Sequence, residues 1–395
     1  MDIRSKLNLY SARGAQHTPS GRNNQPLIDA GGEQIIAGNR KIWRFESRFS
    51  MEKAYTIIPD GITKEISSLL SLNGFDSSIA FDDLLFFDLE TTSLSTGTGT
   101  YSFLCGIGYT DGDDFVCEQL FMEEYSDEPA ILAYLLDFFN RAKAVVSFNG
   151  NTFDMPLIKN RYMINRVYGF PVTVPSFDLI VPARRIFRSV YENCALSTLE
   201  KNVLGFIRNN DTPGWMVPEI FFTYQKDGDA SRIPGIINHN RYDIYSMYLL
   251  LQVLASIFKN ISKGKYESLE SGSLYALARY FYRVSPDIFL DLATFLGQEI
   301  IGDRGVFERF SIILKRKAEW ERAVSYWERD NSYFSLIELA KYYEHRAADY
   351  NRAIDCCKKA ALLLETLPPE EEKAAACKES VARRLARLIQ RRDRS

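Results

Sequence analysis

The sequence predicts an α/β domain with a mixed sheet flanked by helices, followed by an all-helical region. Three observations predict this. Between about residues 80 and 258, short apolar runs alternate with segments of helical periodicity. Two of those runs meet at Asp111-Gly112, a strong hairpin signal, so the sheet is not purely parallel. Beyond the polar stretch "NISKGKYESLESG" from Asn260, strand patterns vanish and only helical spacing remains.

Taken in order, residues 1–35 are polar, with Gly, Asn and Gln, and read as a flexible arm. Residues 36–79 carry "IWRFESRF" and "AYTIIP" without a clear period and read as a lead-in packed on the next domain. The α/β domain is expected over residues 80–258. "LLFFDLE" is a strand buried on both faces, and "TYSFLCGIGYTDGDDFVCEQLFM" is a hairpin. "SDEPAILAYLLDFFNRA" has Ser126 or Asp127 to start a helix and Pro129 in its first turn. "AVVSFNG" is a short buried strand, "FDMPLIKNRYMINRVYG" a helix closed by Gly169, and "FPVTVPSFDL" an extended segment. "ALSTLEKNVLG" is a helix closed by Gly205, and a long helix is expected to begin a few residues after Pro234. In residues 270–395, "AEWERAVSYWER" from Ala318 and "ADYNRAIDCCKKA" from Ala348 share Trp320/Tyr350 and Ala323/Ala353 at an offset near the length of a tetratricopeptide unit. This half resembles tetratricopeptide repeats.

The 395 residues are 46% hydrophobic and 25% charged, with net charge −3. Global charge therefore does not mark a nucleic-acid binder. Local charge is uneven: Arg4, Lys6, Arg13, Arg22, Arg40, Lys41, Arg44 and Arg48 make the start basic, and "RRLARLIQRRDRS" makes the tail basic. Such ends are either solvated or in contact with phosphates. The six cysteines form no C-x-x-C pair, which argues against thiolate metal sites and a disulfide framework and fits a cytoplasmic protein. The N-terminus lacks the apolar core of a signal peptide, and "MYLLLQVLASIF" from Met247 is too short to span a bilayer. No membrane association is expected.

The chemistry lies in the acids. Side chains alternate along a strand, so Asp88 and Glu90 share a face. Two like charges so close are unfavourable unless neutralised, and a hard divalent cation neutralises them. A solvated strand end is the competing reading, but an apolar lead-in makes unpartnered acids costly. "VVSFNGNTFDMPLI" offers Asn149 at a second strand end and Asp154 at the start of the next helix. Asp154 is either a metal ligand or a first-turn acid favoured by the helix dipole. Asn149 either binds substrate or holds the turn. In "INHNRYDIYSM", His239 and Asp243 lie four apart on a helix and share a face; the chain has only three histidines.

This order resembles the DEDD family of 3′–5′ exonucleases with the ribonuclease H-like fold. Further phrases match: "FDLIVPARRIF" with Asp178 and Arg184, and "ALSTLEKNVLGF". Within the family the YprB-like branch is the nearest, through Gly97-Thr98-Gly99-Thr100-Tyr101, "SFNGNTFDMP" and "HNRYD", and through tetratricopeptide-like helices behind the nuclease domain. One departure is that His239 and Asp243 have the H-x-x-x-D spacing, where the histidine subclass has H-x-x-x-x-D; His239 stands where the tyrosine subclass carries its Tyr. The resemblance implies that Asp88, Glu90, Asp154 and Asp243 hold two Mg²⁺ or Mn²⁺ ions, with His239 as base and Thr91 and Asn149 positioning substrate. Asp178 would cap a helix or support the site. The implied substrate is DNA or RNA with a single-stranded 3′ end, and the repeats would hold a protein partner. The alternatives are a non-catalytic scaffold on the same fold and a structure-selective endonuclease.

Overall fold

In a computed structural model, residues 22–51, 64–93, 99–365 and 372–394 are described. The chain divides into two compact units, Met1–Lys263 and Gly264–Ser395.

The first unit is built on one mixed seven-stranded sheet of order β1-β2-β5-β4-β3-β6-β7. Its strands are β1 Glu33–Ala37, β2 Arg40–Ser50, β3 Leu84–Thr91, β4 Ser102–Asp111, β5 Asp114–Phe121, β6 Ala144–Ser147 and β7 Ser176–Asp178. β1 to β4 and β5 form the antiparallel part ending on β3, and β6 and β7 run parallel to β3. The helices of this unit are α1 Gln25–Asp29, α2 Ser67–Leu72, α3 Glu128–Arg141, α4 Asp154–Ile164, α5 Ile180–Phe187, α6 Leu196–Leu199, α7 Val217–Asp227 and α8 Ile233–Ser262. α6 continues as one π-turn, Glu200–Leu204, and is closed by Gly205 at φ 76°.

Three sequence expectations change. Residues 33–50, split between the arm and the lead-in, are two sheet strands, and Leu27 of α1 is fully buried. The alternation in β2 was hard to read because Ile42 and its neighbour Trp43 are both buried, so the strand is covered on both faces. Residues 1–21, with Arg4, Lys6 and Arg13, and the "AYTIIP" segment lie outside the described residues. Four of the five described basic residues of the start are spent internally. Arg22 pairs with Glu123, Arg40 with Asp127, Arg44 with Glu33, and Arg48 with Glu46 and Asp111. Finally, Asp111 pairs with Asp114, so the turn is centred on Gly112-Asp113, with Gly112 at φ 61°. A positive φ at the first central position is what a type II′ hairpin turn needs.

β3 fixes the site. Phe86, Asp88 and Glu90 face α8, where Phe86 meets the rings of Phe115 and Tyr248. Phe87 faces α3 and packs edge-on against Phe139. The strand is thus sandwiched until the side facing α8 turns acidic. α8 runs 30 residues and is long and apolar enough to cross a membrane, further than the run from Met247 suggested, yet 67% of its most apolar window is buried. It is the sheet's covering helix.

The second unit is all helical among the described residues: α9 Ser271–Val284, α10 Pro286–Leu296, α11 Arg304–Arg316, α12 Trp320–Asp330, α13 Tyr333–His345, α14 Tyr350–Glu365 and α15 Glu372–Arg392. The internal repeat is visible in the backbone. Trp320 opens α12 and Tyr350 opens α14, and Ala323 and Ala353 are both fully buried. Ala318 and Ala348, at the same repeat offset, both turn the chain with positive φ, 61° and 52°.

Candidate active site

Asp88 and Glu90 occupy the C-terminal end of β3, where ligands collect in open α/β sheets. Asp88 stands opposite Gly106 of β4, which stands opposite Gln119 of β5. A Cβ on Gly106 would lie 2.2 Å from Asn240 Oδ1. The missing side chain lets Asn240 of α8 descend onto the sheet. There it accepts a hydrogen bond from Gln119 Nε2 at 2.9 Å and donates from Nδ2 to Asp88 Oδ2 at 2.8 Å. Asn240 is fully buried, so this relay sets the Asp88 carboxylate in one orientation.

Asp154 opens α4 and is buried. The loop before it bends at Asn149, φ 64°, and Asp178 holds that bend. Asp178 accepts from Asn149 N at 2.7 Å, from Asn151 N at 3.2 Å and from Ile180 N at 3.2 Å. Gly150 is needed here too: a Cβ would sit 2.6 Å from Ser147 Oγ and 3.0 Å from Asp154 Oδ2. Ser147 Oγ is itself buried without a hydrogen-bond partner in the structure.

The third component comes from α8 and the loop ahead of α7. His239 Nε2 lies 3.5 Å from Asp243 Oδ2 and 4.0 Å from Glu90 Oε1. Its Nδ1 lies 2.8 Å from Asp211 Oδ1 and 3.4 Å from Arg208 Nη1. Asp211 at Nδ1 orients the ring and turns Nε2 toward the acids. Arg208 is buried among Glu200, Asp211 and Asp243 and bonds all three. Ser246 donates to Glu200 from behind.

The electrostatics follow from this crowding. Burial pushes Asp88 well above the usual carboxylate range, and Asp243, Asp154 and Glu90 push it further; the Asn240 hydrogen bond opposes them. Glu90 rises for the same reasons, burial first and then Asp243, Asp154 and Asp211, against Arg208. Burial, then Asp178 and Asp243, raises Asp154 to about 7, opposed by a backbone hydrogen bond. Asp88 and Glu90 both feel Asp154 and Asp243, and Asp154 feels Asp243, so the four sequence-selected carboxylates lie near one another. Donor atoms of Glu90, His239 and Asp243 all fall within 4.8 Å of one another, a spacing compatible with one cation.

The two substrate candidates fare differently. Asn149 is exposed at the rim of the second strand end, and among the described residues Thr152 engages its side chain, at 3.4 Å. Thr91 is buried, and its hydroxyl proton goes to Ser93 O at 2.7 Å, so it shapes the strand end. Gly97 and Thr98 lie outside the described residues, whereas Thr100 is buried and Tyr101 packs on Tyr125. Sequence reasoning missed Arg208, Asp211, Glu200, Gln119 and the role of Asn240. Only Asn240 carried a signal, standing beside His239.

Residues 85–255 match the RNase_H superfamily model. The "Uncharacterized protein YprB" of Bacillus subtilis (strain 168) is 27% identical over 306 residues, covering 75% of this chain and 72% of that protein. Residues 85–255 form a domain of the RNase H superfamily, with a nuclease-like fold, and the helical unit follows it.

Proposed function

We propose that this protein is a metal-dependent 3′–5′ exonuclease that hydrolyses phosphodiester bonds of nucleic acid. The observation that carries this reading is the convergence of Asp88, Glu90, Asp154 and Asp243 with His239 at the strand ends of an RNase H superfamily domain. The residues fit divalent metal: half-buried Asp88 and Glu90 and buried Asp154 are mutually repelling carboxylates, and hard cations take such oxygens. These four acids would hold two Mg²⁺ or Mn²⁺ ions. When bound, the ions supply Lewis-acid chemistry and neutralise charge at the phosphate.

The rest is done by the chain itself. His239 Nε2, oriented by the Nδ1–Asp211 hydrogen bond, faces the acids and accepts a proton from the attacking water. Arg208 holds Asp243 in place and lowers the net negative charge that an incoming phosphate meets. Asn149, at the exposed rim, contacts the substrate backbone, and Asp178 keeps it there. A cytoplasmic setting fits six cysteines that are all free thiols.

The test is degradation of 5′-labelled single-stranded DNA and RNA oligonucleotides with Mg²⁺, Mn²⁺ or EDTA, with Asp88→Ala as control. The expected result is a metal-dependent ladder shortening from the 3′ end and absent in the variant. Discrete internal cuts would replace the exonuclease by an endonuclease on the same fold. No cleavage of any substrate would leave a binding scaffold.

A further inference from the structure

The helical unit contains a cavity of about 270 Å³. Its lining combines two rings, Trp320 and Tyr342, with four cationic side chains, Lys315, Lys341, Arg346 and Arg384. The ring centroids are 6.0 Å apart and tilted by 30°, and the exposed Arg346 guanidinium lies over the Trp320 ring at 5.0 Å. Two carboxylates offset this charge. Glu338 takes Lys315 and Lys341, and Glu344 takes Arg384. Along α15, Arg387 and Arg391 follow Arg384 on the same face and reach the same Glu344. Five cations thus serve two carboxylates and Arg346 adds a sixth beside them, in a chain whose net charge is −3. Folding alone does not call for such an excess, because one or two cations satisfy a buried carboxylate.

We propose that this surface is a second nucleic-acid contact: an unpaired base enters the cavity against Trp320 and Tyr342, and the flanking phosphates lie on Lys315, Lys341, Arg346 and the α15 arginines. Rings interleaved with cations are what a single strand requires, since every base has a stacking face and every linkage a charge. An acidic peptide uses the cations but gains nothing from a planar slot beside them. The inference rests on the nuclease reading for its choice of polymer. It assigns the helical unit a hold on the strand through residues other than those of the hydrolysis site.

The experiment measures binding without turnover. Full-length protein in EDTA is titrated into 5′-fluorescein-labelled 20-residue oligo(dT) and oligo(U), and fluorescence anisotropy is read across a salt series. Trp320→Ala is expected to weaken binding about tenfold, the scale of one lost stacking contact. Arg346→Glu, an exposed change that leaves the fold alone, is expected to weaken it and to reduce the salt slope by about 0.7 for its lost phosphate. With Mg²⁺ or Mn²⁺, Arg346→Glu should raise the KM for the 20-mer and leave hydrolysis of the p-nitrophenyl ester of thymidine 5′-phosphate unchanged. Equal Kd and equal slope in the wild type and Arg346→Glu would overturn the proposal. So would displacement of the oligonucleotide by oligo-glutamate at concentrations no higher than unlabelled oligonucleotide needs. Binding that depends on Trp320 in a protein that hydrolyses neither substrate would uphold this contact and remove the nuclease reading.

Discussion

Both units bury carboxylates, and they treat them in opposite ways. In the α/β unit, burial and mutual repulsion push Asp88, Glu90 and Asp154 above the ordinary range. In the helical unit, burial also works against Glu338 and Glu344, but hydrogen bonds from Lys315 and Lys341 to the first and from Arg387 to the second hold both below it. The difference separates two uses of a buried acid. An acid with its cations built in stabilises the fold. A group of acids whose cations are not built in destabilises the fold until something positive arrives, and natural proteins keep such strain at working sites.

The largest expected effect tests the destabilised side directly. Glu90→Gln and Asp88→Asn should each lower hydrolysis by about 10³-fold or more, because the acids act as one unit. The same variants should raise the thermal midpoint of chelator-treated protein by a few degrees, since each removes a repelled charge; amide oxygen at position 88 still accepts from Asn240. The sign with pH is fixed. The folded pKa values are raised, so the folded state binds protons more tightly than the unfolded chain. The contribution of these three acids to the stability of metal-free protein is therefore greatest below about pH 4, the unfolded carboxylate range. It falls as pH rises through about 7, where Asp154 titrates in the fold. Thermal melts across that range, with and without Mn²⁺, check this: added metal should flatten the fall. A metal-free midpoint that climbs with pH would mean that the acids are already paired.

Arg208 is the built-in cation beside the acidic site, as Arg161 is for the buried Glu128 elsewhere in the unit. Arg208→Met strands Glu200, which is buried, and releases Asp243. A loss of about 3–5 kcal/mol is expected from a broken buried pair. Denaturant melts measure it, and Glu200→Gln in the same background should recover part.

How much of this was legible follows from the kind of signal each residue carries. Asp88 and Glu90 were readable because they interrupt an apolar strand with a period of two, and His239 and Asp243 because four residues make a helical turn. Asp211 and Arg208 were not, since they sit on a loop without period, 28 and 31 residues before His239. Gly106 matters through an atom it lacks, and only the register that places it opposite Asp88 reveals that. β2 was hidden because Ile42 and Trp43, on opposite faces, are both buried and blur the alternation. The repeat in the helical unit was legible at Trp320 and Tyr350, but the two turns beside them were not, because alanine gives no sign of a positive φ.

On the helical side the comparison predicts the reverse stability effect for removing an acid. Glu344→Gln takes away the partner of Arg384, Arg387 and Arg391. It should cost about 1–3 kcal/mol through groups left unsatisfied. Hydrogen exchange should show the loss concentrated in α15. Hydrolysis of a mononucleotide ester should not change. A stabilised Glu344→Gln would erase the distinction between the two units.

The smallest effect concerns backbone rather than charge. Ala318 and Ala348 hold left-handed conformations with φ of 61° and 52°, one in each repeat. An L-residue there costs about 1–2 kcal/mol, which glycine avoids. Glycine also gives the unfolded chain more freedom, worth about 0.4–1 kcal/mol in the other direction. The net expectation is a gain of about 0.5 kcal/mol for Ala318→Gly and the same for Ala348→Gly. The sites belong to separate turns, so the double variant should show the sum. Ala323→Gly, inside α12, is the control and should lose about 1 kcal/mol, because there glycine only weakens a helix. Equal losses at all three positions would show that the turns carry no strain and that the repeat is one of sequence without a shared backbone.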